Sequence, residues 1–297
     1  MTHTHATPAA ANRNRLAAVF FVTLGVFVFE LIGGIAANSL ALIADAGHLL
    51  TDVAGIGLTL VAIWFAGRPA NLNRSYGLMR LEILAAVVNA MLLFAVAAYV
   101  LVEAWRRWNA PPEVASGLML VVAVIGLLAN GVSLVVLHNA QRESLPMRGA
   151  YLEVMGDLVG SVAVIVAAIL ITVTGQVRAD AIASVFIGLL ILPRTWALLK
   201  EAVDVLLEAS PKGIDLGEVR SHILEAPGVA DVHDLHAWTI TSGVNVVSAH
   251  VVLEADASPP AVLDYLCGCL SGDFDIEHST FQLETSDRRR LETAHHA

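Results

Sequence analysis

Cysteine is nearly absent from this chain. The two present among 297 residues, Cys267 and Cys269, are too few and too close to build a disulfide framework. Two positions apart on a helix they point about 200° away from each other, so they cannot grip one ion together; both read as packed side chains. Charge is also scarce: Asp, Glu, Lys and Arg make up 15% of the chain against 57% hydrophobic residues, and the mean hydropathy is +0.70. That excludes an ordinary soluble domain and calls for several membrane spans. A basic surplus is missing as well. The net charge is −10, and residues 209–297 carry −9 of it. This excludes nucleic acid as a partner and anionic lipid as a partner of the C-terminal part, while suiting cations. A cleavable signal peptide is not expected, because the first residues are polar and the first apolar run is longer than a signal's 7–15-residue core.

What is there is a series of six apolar runs, roughly 16–37, 40–66, 80–105, 115–138, 150–174 and 179–206. Each is near or above the ~20 residues that cross a bilayer, so membrane lipid surrounds this part. Asn38-Ser39 is a short turn that makes the first two runs a pair. Lys and Arg near the run ends favour one side by 8 to 3 and put both termini in the cytoplasm. The dissenters Arg106 and Arg107 are expected to snorkel to the far headgroups. Four segments result: a disordered N-terminus, 1–15; a six-helix transmembrane domain, 16–208; a metal-binding and dimerisation domain, 209–286; and a disordered tail, 287–297. In the third, Asp215 to Ala226 reads as a helix. Val229–Thr241 and Val244–Glu254 read as a hairpin about Ser242-Gly243, a second helix runs from Pro259 to about Ser271, and Ile276–Glu284 is a third strand. That order predicts a small α+β domain with helices on one sheet face.

Metal-ligand chemistry is concentrated in two apolar segments. ADAGHLLTD, residues 44–52, holds Asp45, His48 and Asp52, and YLEVMGD, residues 151–157, holds Glu153 and Asp157. His48 and Asp52 are four apart, as are Glu153 and Asp157, so each pair stacks on one helix face. Two such helices supply the four N/O ligands of a tetrahedral metal site. Carboxylates at membrane depth cost about 2.5–3.5 kcal/mol each on insertion scales and mark function. Carboxylates this crowded take up a metal ion by giving up protons, which makes metal–proton exchange the natural consequence. Asp45 is placed on the access path rather than in the ligand set. Glu30 and Asn89 are assigned to interhelical hydrogen bonds. In the C-terminal domain His250, His278 and Glu284 fall on strand faces turned from the core, with His233 and His236 near the start of the first strand. A metal site there is favoured over a plain solvated face. His3, His5, His295 and His296 are weak ligands at most, and Asn71 and Asn73 make no site.

The motifs NSLALIADAGHLLTD (38–52), RSYGLMRLEILAAVVNA (74–90), RGAYLEVMGDLVGSV (148–162), LPRTWALLKEAVDVLLE (192–208), VHDLHAWTITSG (232–243) and IEHSTFQLE (276–284) together resemble the cation diffusion facilitator family of metal efflux transporters, most of all its bacterial cobalt–zinc–cadmium resistance branch. The resemblance implies an α-helical membrane protein with six transmembrane helices plus a C-terminal cytoplasmic α+β ferredoxin-like domain. It implies a homodimer in the bacterial cytoplasmic membrane that exchanges metal for protons by alternating access. It places the transport site on His48, Asp52, Glu153 and Asp157, and further metal sites on His233, His250 and Glu284 with His278 close by. Zn²⁺ is the expected cargo and also the expected occupant of the cytoplasmic domain, with Co²⁺, Cd²⁺ and Ni²⁺ within range. Glu153 departs from the histidine of many zinc members and makes a harder site. The histidine-rich loop of some members is absent. Two other readings stay open: a membrane metal sensor that does not transport, and a membrane metalloenzyme, for which no further catalytic pair is found.

Overall fold

The structure, a computed structural model, describes residues 13–66, 72, 74–140, 145–276 and 278–289. His3, His5, Asn71, Asn73, His295 and His296 lie outside the described residues, and so does the side chain of Glu153. Six long helices come first: α1 Arg13–Ala37, α2 Leu40–Ala66, α3 Leu81–Asn109, α4 Ser116–Ala140, α5 Leu145–Thr174 and α6 Arg178–Leu206. They reproduce the six apolar runs, with α3 and α5 extending past the runs into polar sequence. Five of them are long and apolar enough to cross a membrane among the described residues. The remaining one, α2, has 27 residues and so spans ~40 Å at 1.5 Å per residue. Large apolar side chains such as Phe21, Val135 and Val173 stand exposed on the outer faces, as lipid contact requires.

The chain forms two compact units. The first takes α1, α2 and Ala85–Leu199; the second takes the stretch ending at Leu84 and the chain from Lys200 onward. In the first unit α1 packs on α2 and α4, α5 packs on α4 and α2, and Gly188 of α6 faces Val100 and Leu101 of α3. Its core is built of small and branched residues, among them Ala41, Ala44, Val122, Val164 and Ala168. Small residues let helices approach closely where lipid gives no hydrophobic drive.

The junction of α1 and α2 decides where the ligand-bearing helix points. Asn38 takes a left-handed backbone, φ 52°, and ends α1. Ser39 then caps α2: its hydroxyl accepts from Leu42 N at 3.2 Å and donates to Asp180 Oδ1 at 2.6 Å. Asp180 itself, 1% exposed at the start of α6, accepts from Leu40 N at 2.8 Å and Ala41 N at 3.2 Å. One carboxylate thus satisfies the first-turn N–H groups of another helix and opposes its positive end. Arg107 joins this knot. It donates to Asn38 O at 2.8 Å, pairs with Glu103 at 3.2 Å and stands 3.7 Å from Asp180. Oxygens of Asn38, Glu103 and Asp180 thus hold Arg107 within the protein, whereas Arg106 is well exposed.

The second unit carries α7 Leu216–Leu224, β1 Val229–Thr241, β2 Val244–Leu253, α8 Pro259–Phe274, β3 His278–Glu284 and a final turn α9 Ser286–Arg289. Asp215 caps α7 by accepting from Gly217 N at 2.7 Å. β1 and β2 form an antiparallel hairpin, with Gly243 at φ 75° supplying the left-handed turn position. β3 runs parallel to β2 after the α8 crossover, giving sheet order β1-β2-β3. The alternation in β2 buries Val247, Ala249 and Val251 against Val219 and Ile223 of α7 and Val262, Leu266 and Leu270 of α8. Within this unit Glu82 accepts hydrogen bonds from the Thr241 and Ser242 hydroxyls at the hairpin tip. The thiols separate: Cys269 packs against the core, but Cys267 is exposed, contrary to its reading as a packed side chain. Around α8 the two side chains diverge, so only one can face the sheet.

Candidate metal centres

The first centre lies inside the helical unit. α2 presents His48 and Asp52 on successive turns, and α5 presents Asp157 against them. His48 Nε2 is 2.8 Å from Asp157 Oδ1 and 3.9 Å from Asp52 Oδ2. One ligand atom from each of the three lies within 4.8 Å of the others. Glu153 is on the same helix one turn before Asp157, which is the backbone position the sequence pairing requires. Asp45 does not join the three. It lines the same cavity, of about 500 Å³, with Gly156, Gly160 and Ile187. Gly160 makes room for it: a Cβ there would stand 3.1 Å from Asp45 Oδ1.

Buried polar atoms without partners surround this centre. His48 Nδ1, Asn89 Oδ1, Ser161 Oγ and Glu30 Oε2 have no hydrogen-bond partner. Asn89 makes the interhelical bond expected of it through Nδ2, which donates to Thr51 O at 3.4 Å. Glu30, 1% exposed, sits against Gly126 of α4 so closely that a Cβ at Gly126 would collide with its Oε1. Its expected interhelical hydrogen bond is not made by Oε2.

Arg194 of α6 completes the wall. Its Nη1 lies 3.2 Å from His48 Nε2, and its Nη2 lies 3.7 Å from Asp52 Oδ1. The sequence reading passed over this residue, although a single arginine in an apolar run is itself a signal. It passed over Asp180 for a different reason. Nothing in the local sequence of α6 tells that its first turn caps α2.

The second centre lies on the sheet. Register pairs His233 with His250 across the hairpin, their ring centroids 5.0 Å apart. Glu284, at the end of β3, reaches both: Oε2 is 3.3 Å from His233 Nε2, and Oε1 is 3.0 Å from His250 Nδ1. These three form the other cluster able to hold a metal ion among the described residues. Glu284, expected only to point away from the core, is in addition buried between the two histidines, 4% exposed. Burial pushes its carboxyl up, but hydrogen bonds from Gln282 and His233 and the nearby His250 and His233 charges outweigh that and hold it below the usual 4.5. His278 is not brought to the cluster. It pairs with Val246 at the other end of β3, ~20 Å along an extended strand, and is exposed. The sequence reading also missed Asp234. The β1–β2 register slips between His233 and His236, and Asp234 takes φ 51° in that bulge. It then reaches His236 at 3.0 Å and His250 at 3.8 Å.

Comparison with known proteins was made on this basis. Residues 16–207 match the family model for the cation efflux transmembrane domain, and residues 211–286 match that for the cation efflux protein cytoplasmic domain. The metal cation efflux system protein CzcD of Cupriavidus metallidurans is 45% identical over 99% of this chain and 93% of its own. The zinc transporter ZitB of Escherichia coli is 40% identical over 96% of this chain and 93% of its own. A cadmium, cobalt and zinc/H(+)-K(+) antiporter of Bacillus velezensis is 38% identical over 96% of this chain and 93% of its own. Among solved structures, the metal-bound C-terminal domain of the Cupriavidus metallidurans CzcD transporter is 44% identical and covers 24% of this chain and 99% of its own, with a TM-score of 0.23.

Proposed function

The chain belongs to the cation efflux family, a family of transporters rather than enzymes, and we propose that it exports divalent transition metal ions from the cytoplasm in exchange for protons. Zn²⁺ is the main cargo, with Co²⁺ and Cd²⁺ as further substrates; the names of its relatives speak for these three. The transport site is His48, Asp52, Glu153 and Asp157. The observation that carries this reading is the meeting of His48 and Asp52 with Asp157 across two helices that are otherwise apolar. A dication bound there bonds directly to His48 Nε2 and the carboxylates. Proton and metal compete for the same lone pairs, so uptake of one releases the other. Because the ligands sit on separate helices, a relative shift of α2 and α5 changes both the affinity and the side from which the site is reached. That is the requirement of alternating access.

The cytoplasmic domain binds metal at His233, His250 and Glu284 and joins two copies of the chain into a homodimer; the match to the cytoplasmic domain model supports the latter. The protein lies in the cytoplasmic membrane with both termini in the cytoplasm. The His233–His250–Glu284 cluster also favours a second reading, in which the domain reports metal and the helices move none. Zinc flux into proteoliposomes under an imposed pH gradient separates the two. Gradient-dependent uptake that disappears in Asp157→Ala is the expected result. A metal-binding wild type without flux turns the assignment to a sensor.

A further inference from the structure

Arg194 raises a chemical conflict at His48. Nε2 has one lone pair or one proton to offer. At 2.8 Å from Asp157 Oδ1 it should donate, and at 3.2 Å from an arginine nitrogen it should accept. It cannot do both, since a guanidinium has donors only. The other ring nitrogen, Nδ1, offers no relief, because it is buried without a partner. Asp52 is shared in the same way, between His48 on its own helix and Arg194 on α6. Unlike a histidine or a carboxylate, arginine keeps its charge at every pH the protein meets. The arrangement is therefore not a spare hydrogen bond. It is a fixed positive charge brought to the donor atoms that a metal ion would take.

We propose that Arg194 is the internal counter-cation of the membrane site: its guanidinium and the transported dication compete for His48 Nε2 and Asp52. Metal entry swings the arginine out, and its return helps expel the metal. This rests on the reading of His48, Asp52 and Asp157 as the cargo ligands. The side chain is placed for such a movement. It is 47% exposed and lines the open cavity that holds Asp45, His48 and Asp157. Pro193 precedes it and removes the backbone bond that position 193 would make to Leu189, which loosens α6 there. The competition separates two demands on one site. Without it, a ligand set rich in carboxylate would hold a dication too long to release it.

The test is Co²⁺ binding, read from its visible absorption in the detergent-solubilised full chain. All proteins carry His233→Ala and His250→Ala, so that the membrane site alone is reported. Arg194→Gln and Arg194→Met remove the charge and should tighten Co²⁺ binding about tenfold, the size left to one charge at this distance after solvent screening. Arg194→Lys keeps the charge and should stay within about threefold of its parent. In proteoliposomes the two neutral variants should lower KM and kcat together, because metal enters readily and leaves slowly. Either folded neutral variant suffices. Unchanged or weaker binding in the neutral variants, beside loss of binding in Asp157→Ala, overturns the counter-cation and leaves the cargo site standing. Parental binding in Asp157→Ala overturns both.

Discussion

The two centres use the same ligand chemistry on different scaffolds. In the membrane unit one histidine and two carboxylates come from α2 and α5, with an arginine from α6 alongside. On the sheet two histidines and one carboxylate come from neighbouring strands whose ladder fixes their spacing. Helices in a bundle slide and tilt against each other, while paired strands do not. A site assembled across helices can therefore change its affinity, and one held by a ladder keeps it. The polar surroundings differ in the same sense. Unpartnered buried atoms cluster in the helical unit, at His48, Asn89, Ser161 and Glu30, and none of the described residues of the sheet cluster has one. The difference suits the proposed division between a site that passes an ion and one that keeps it.

The comparison breaks most sharply at Asp157. Asp157→Ala and Asp52→Ala each leave His48 with one carboxylate fewer and should lower zinc flux by more than about 100-fold, with the fold intact by thermal unfolding. Wild-type flux in either variant would mean that the helical cluster is structural.

Next in size is Asp180, which holds no ligand but holds the helix that does. Asp180→Ala strips the first turn of α2 of its acceptor, leaves the Ser39 hydroxyl without its own and removes one of the anions beside Arg107. A loss of about 2–3 kcal/mol in stability is expected, together with loss of metal binding. Asp180→Asn, which keeps one acceptor, should recover part of both. Normal zinc affinity in a stable Asp180→Ala would show that α2 keeps its register without the cap.

The scaffolds also explain which residues could be read in advance. Apolar length set all six long helices, and spacing of four brought His48 beside Asp52, because a helix fixes those relations locally. Arg194 and Asp180 act across the bundle, and no local spacing encodes which helix faces which. On the sheet, period-two alternation put His278 and Glu284 on one face correctly. It says nothing of distance along that face, so His278 was grouped with residues at the other end. Asp234 was hidden for the opposite reason: a bulge breaks the period, and His-Asp-Leu-His contains neither Gly nor Pro to announce it. Alternation turned Glu284 from the core correctly but could not foresee its burial, because it does not show that two histidines and Gln282 close over it.

A smaller effect separates the sheet cluster by pH. Glu284 has a folded-state pKa below 4.5, its usual value, so it stabilises the domain above about pH 4.5. That contribution is lost as pH falls through the lower folded value. Glu284→Gln should remove this acid sensitivity and cost about 1–3 kcal/mol at pH 7 in the presence of chelator, while zinc flux falls only partly. Equal acid profiles for the two proteins would mean that the carboxylate is not held by its neighbours.

The smallest effect is expected at His278, and it tests the boundary of the cluster. The residue is exposed, pairs with Val246 and touches neither His233 nor His250. His278→Ala should change stability by less than about 0.5 kcal/mol and leave the zinc affinity of the cytoplasmic domain unaltered, whereas His250→Ala should weaken it more than about tenfold. Isothermal titration of both variants makes the comparison directly. A comparable loss in His278→Ala would require a ligand contact that a single chain does not make, and would place His278 against a second copy. The sheet cluster would then be built between subunits, and its rigidity would belong to the dimer and not to the ladder.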